Sequence, residues 1–131
     1  MIEKGVYSRL STDSTLTAIV GTKIFAGRIE QEVSPPFVMF WRVSGSRPDS
    51  LTGHNGMTRA NIQVDCFATT YGQIKAINDA VRLRLDGFKG TMGTEEAKAC
   101  RMTGEREYYD QEAELFISSL DFSIWYVETT S

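Results

Sequence analysis

The sequence has 131 residues, the length of one ordinary domain, with 41% hydrophobic and 24% charged residues. A chain of that length buries roughly two-thirds of its unfolded surface, so folding requires neither a metal nor a disulfide. The net charge of −3 argues against a globally basic nucleic-acid binder or a binder of anionic membranes, and apolar runs such as Phe37–Trp41 are far too short to span a bilayer.

In chain order, Ile2, Val6 and Leu10 fall four apart and predict a short N-terminal helix. That N-terminus is charged and interrupted, unlike a secretory leader, so a reducing, cytosolic place of synthesis is expected. Asp13 or Ser14 caps a second short helix, in which Leu16, Ile19 and Val20 share a face and Gly21 supplies the stop. Thr22–Pro36 reads as an irregular connection, with Pro35 and Pro36 forcing an extended approach to the next element.

Residues 37–43 are β-rich and apolar on both parities, which predicts a strand covered on both sides. Residues 60–68 alternate: Ala60, Ile62, Val64, Cys66 and Ala68 face inward, while Asn61, Gln63 and Asp65 face outward. The two strands predict a hairpin. Its connection is long and polar, with Leu51 and Met57 the only large apolar side chains between Ser44 and Thr58. Hairpin connections usually take about two to five residues, and much longer ones tend to bind something or to lack order.

The clearest helix starts after Thr70, which forms a capping box with Gln73, and ends at Gly87. Ile74, Ile77, Val81 and Leu85 make its apolar stripe. Lys89–Glu96 reads as a turn region, and 97–107 as a strand of unsettled register. In the last strand Phe116, Leu120, Phe122, Ile124 and Tyr126 share one parity. The whole predicts one α+β domain over 1–131: an antiparallel sheet of about four strands, with a long helix and short N-terminal helices on one side.

Signatures of catalysis are missing. His54 is the one histidine and sits in a glycine-rich loop, and Cys66 and Cys100 form no C-x-x-C pair. Glu105, Glu107, Asp110, Glu112 and Glu114 cluster as expected of a solvated turn. No phosphate-cradling G-K-[ST] or G-x-S-x-G elbow occurs. The charge is uneven: residues 1–94 carry 11 Lys/Arg against 8 Asp/Glu (+3), and residues 95–131 carry 3 against 9 (−6). An acidic C-terminal third suits a face for a basic partner or, more simply, a solvated edge that aids solubility, and the arginines of the hairpin loop, Arg47 and Arg59, suit pairing with carboxylates of another surface.

The segments PFVMFWRVSGSR, ANIQVDCFATTYGQIKAINDAVRLRLDGFKG and SLDFSIWY resemble the tail-completion (tail-terminator, head–tail joining) proteins of long-tailed bacteriophages and prophages. LTAIVGTKIFAGRIEQEVSPPFV matches the same family's short helix, V-G-x-[RK]-I turn and proline before the first strand. The resemblance implies a structural protein, with no catalytic residues, cofactor or metal. It implies a ring, commonly hexameric, at the head–tail junction or neck of a virion assembled in the host cytoplasm. Its partners would be itself, the tail tube protein and the head connector or stopper, with the genome passing through the lumen unrecognised and no membrane involved. The candidate interface residues are Arg47, Asp49, Leu51, His54, Met57, Arg59, Glu105 and Glu107. A head-completion protein, a small-molecule-binding α+β domain and a nucleic-acid-binding module stand as alternatives.

Overall fold

The computed structural model describes residues 2–27, 32–46 and 57–127. Its elements run α1 (Ile2–Ser11), α2 (Ser14–Val20), β1 (Ile24–Ala26), β2 (Phe37–Ser46), β3 (Met57–Ala68), α3 (Tyr71–Leu85), β4 (Gly90–Met92), β5 (Glu95–Asp110) and β6 (Leu115–Val127). The described strands form one six-stranded sheet in the order β1-β2-β3-β6-β5-β4. This corrects the expected four antiparallel strands: the sheet is mixed, because β1 runs parallel to β2. β1 and β4 are three residues each, too short for a periodic signal, and lie in segments read as a connection and a turn.

Local chemistry sets the helix ends. The Asp13 carboxylate accepts the Leu16 N–H at 3.0 Å, and the Thr70 hydroxyl accepts the Gln73 N–H at 3.2 Å. α2 stops at Gly21, whose φ of 64° favours glycine. Past α3, Gly87 takes φ 82° but donates its N–H across to the Cys100 carbonyl at 2.7 Å, so the helix end is sewn to β5.

The core lies between the helices and one face of the sheet. Ile2, Val6 and Leu10 of α1, Leu16 and Val20 of α2, and Ile74, Ile77, Val81 and Leu85 of α3 meet one parity of the strands. That parity contributes Val38 and Phe40 of β2, Ala60 to Ala68 in alternation on β3, and Leu120, Phe122, Ile124 and Tyr126 of β6. Cys66 is such a buried hydrophobe, and burial pushes its thiol pKa upward.

Two contacts fix how α1 sits. Gly5 abuts β4 so closely that a Cβ there would overlap the Met92 carbonyl, and Gly93 packs on the Gly5 Cα. Arg9 Nε donates to the Arg84 carbonyl at 3.0 Å, and Arg84 Nε to the Arg9 carbonyl at 2.8 Å, tying α1 to the end of α3. The Arg9 guanidinium also lies 3.5 Å from the Phe88 ring centroid. Burial first, then the neighbouring Arg84 charge, lowers the Arg9 pKa.

β2 departs from the expected strand with two covered sides. Val38 and Phe40 are fully buried beneath the helices, whereas Met39 and Trp41 are half-buried on a face without a described helix. A bulge between Arg42 and Ser44 leaves Val43 49% exposed. The hairpin of β2 and β3 is as expected but longer, extending to Ser46 and starting again at Met57.

Candidate assembly surfaces

The sheet leaves surfaces without cover from the described elements: its helix-free face, the outer edge of β5 and the outer edge of β2 beyond β1. On the helix-free face the β2 and β3 ends are aromatic. Phe37 stacks on Phe67 with centroids 4.4 Å apart, and Phe25 meets Phe37 edge-on at 6.5 Å. The middle is polar and internally satisfied. Asp65, expected to face outward into water, is 6% exposed because Ser119 Oγ donates to it at 2.7 Å and Gln63 Nε2 at 3.0 Å. Arg106 pairs with Asp121 at 2.9 Å beside them. At the far end the Arg59 guanidinium lies 5.5 Å from the Trp125 ring centroid, and its buried Nε has no hydrogen-bond partner among the described residues.

On the other face, the hairpin of β5 and β6 leans on the start of α3. Tyr71 Oη donates to Glu107 Oε1 at 2.8 Å and Lys75 Nζ to Glu107 Oε2 at 3.2 Å. The Tyr71 hydroxyl, then Lys75, holds the Glu107 carboxyl pKa below the ordinary carboxylate value, and the same bond raises that of Lys75. Asn78 Nδ2 donates to Glu105 Oε2 at 3.4 Å and its Oδ1 accepts from Ser118 Oγ at 2.6 Å. Tyr71 and Tyr109 pack on Phe116 at centroid distances of 5.6 and 4.8 Å, around a hollow of about 170 Å3. This tip is exposed: Tyr71, Tyr108 and Tyr109 keep 52%, 55% and 46% of their surface in solvent.

Of the residues singled out in the sequence, Arg47, Asp49, Leu51 and His54 lie outside the described residues. Met57 and Arg59 open β3, opposite Val127 and Trp125 of β6, while Glu105 and Glu107 sit on β5 opposite Leu120 and Ser118. Arg59 and the two glutamates therefore occupy opposite faces of the sheet and do not meet within one chain. Sequence reasoning missed Tyr71, Lys75 and Asn78, which hold the glutamates. Their i, i+4, i+7 spacing on α3 was the available signal: a polar stripe beside the apolar one.

Chemically, the described hollows gather no nucleophile with an adjacent base. The hollow near Lys75 is lined by Glu105, Arg106, Glu107 and Ser118, whose charged members already have partners. Among the described residues no group of three or more His, Cys, Asp or Glu is placed to hold a metal ion. The described sheet has a well-filled core on one side, and its other face is without cover from the described elements.

The chain matches the family model described as "Tail completion protein gp17" over residues 4–127, and it belongs to that family. It is a bacteriophage-type tail-completion protein, a structural virion component and not an enzyme. Among solved structures, its fold is similar to a chain of the "Virion of native gene transfer agent (GTA) particle", with a TM-score of 0.82 and 16% identity. That likeness covers 96% of this chain and 94% of the other. No curated protein matches.

Proposed function

We propose that six copies of this chain close into a ring at the head-proximal end of a phage tail. The ring caps the tail tube and joins it to the head connector, and the genome passes through its lumen without specific recognition. Family membership over residues 4–127 carries this reading. The exposed Tyr71, Tyr108 and Tyr109 at the β5–β6 tip support it, since aromatic surface left uncovered on a monomer marks a place for partners.

Ring closure needs two different patches on each subunit that fit one another. The hairpin loop is one candidate patch, through Arg47, Asp49, Leu51, His54, Met57 and Arg59. Acidic residues of the β5–β6 turn are the other. Glu107 is engaged by Tyr71 and Lys75 in its own chain, so Asp110, Glu112 and Glu114 are the better counter-charges for Arg47 and Arg59. The test is to image tails purified with and without this protein. The reading expects a ring at the head-proximal end and uniform tube length only when the protein is present. Binding to DNA-filled heads and not to isolated tails would replace it with a head-completion role.

A further inference from the structure

Both margins of the sheet end in strands of three residues, so long stretches of the strands behind them stay uncovered. On the β5 side, β4 pairs only with Glu95–Ala97. The Cys100 carbonyl and the Met102 N–H are then taken by Gly87 and Asp86. From Thr103 to Asp110 no described backbone group pairs with the outer edge. An open strand of eight residues is a template for another strand.

The opposite margin presents β1. Following the registers across the sheet, Ile24 is level with Val38, Cys66, Ser118 and Glu107. Ala26 is likewise level with Phe40, Val64, Leu120 and Glu105. The short strand at one margin thus stands at the height of the gap at the other. The directions also agree. β1 runs with β2, and three antiparallel steps lead from β2 to β5, so a neighbour's β1 laid against β5 without inverting the subunit runs antiparallel to it.

Building on the ring reading above, we propose that the sheet continues from copy to copy. The open edge of β5, Thr103–Asp110, takes up Ile24–Ala26 of the next subunit as an antiparallel strand. The contact joins two different edges, so it is heterologous, as a ring requires. Repeated around the ring, it covers part of the open edge of every β5.

Cysteine cross-linking tests the contact. Ala26 and Glu105 are both exposed, so A26C and E105C leave the core intact. The native thiols compete poorly, being buried, with that of Cys100 pushed up to about 12 by burial. Mild oxidation of assembled protein carrying A26C mixed with protein carrying E105C or E107C should give covalent dimers. A chain carrying both cysteines should give a ladder that ends at the ring. A26C with R106C, which points to the other face, should give little. Rings that form normally but yield no A26C cross-link to either glutamate position overturn the shared sheet and leave the ring reading standing. Homodimers from A26C alone would indicate a symmetric two-fold contact and overturn it too. If no ring forms on tails at all, the reading beneath the proposal fails first.

Discussion

The two faces of β6 show how differently one strand is used. Leu120, Phe122, Ile124 and Tyr126 lie under the helices and are at most 2% exposed. On the other face, Ser119, Asp121 and Ser123 form hydrogen bonds or sit in a polar band with Asp65 and Arg106, and Trp125 lies beside Arg59. The helix-facing side holds the monomer together by excluding water. The helix-free side pairs Asp65 and Asp121 internally, keeps aromatic rings at its ends and leaves the Arg59 Nε without a described partner.

Neighbouring substitutions on β6 put this contrast to the test. Leu120→Ala should cost about 2–5 kcal/mol of stability in a denaturant titration, since it removes a fully buried side chain from a central strand. A loss under about 1 kcal/mol would mean the core is not where the packing places it. Gly5→Val should follow at about 1–3 kcal/mol, because the added atoms would press on the Met92 backbone and push α1 off β4. Ser119→Ala, adjacent to Leu120 but on the other face, should cost about 1 kcal/mol, as Gln63 still donates to Asp65. If Ser119→Ala proves as damaging as Leu120→Ala, the two faces are not functionally distinct.

The smallest effect is the pH dependence of Glu107→Gln. Tyr71 and Lys75 depress the Glu107 pKa in the folded chain, so its contribution is present above the ordinary carboxylate range and fades as pH falls through the folded value. The wild type should therefore melt slightly higher than Glu107→Gln at neutral pH, with the two converging in acid. A gap that widens on acidification would contradict the assignment.

The legible and illegible parts of the sequence divide along physical lines. Burial on one face writes a period into a strand, so the parity of β3 and β6 and the stripe of α3 could be read directly. Thr70 and Asp13 could be read because capping is chemistry within four residues. β1 and β4 could not, since three residues carry no period. The role of Gly5 depends on Met92 and Gly93, far along the chain. Asp65 was placed on the correct face, yet its burial comes from Ser119, a partner that only the sheet register supplies. Glu105 and Glu107 looked like a free acidic cluster because their partners are held on a helix some thirty residues earlier.

On the proposal above, this protein acts by becoming part of the particle. The most direct measurement is an add-back titration: purified protein is mixed with heads and tails from particles made without it, and joined particles are counted. Joining should rise in proportion to the protein added and saturate at a fixed number of copies per tail. Full joining at far less than one copy per tail, with the protein turning over and left unincorporated, would contradict it.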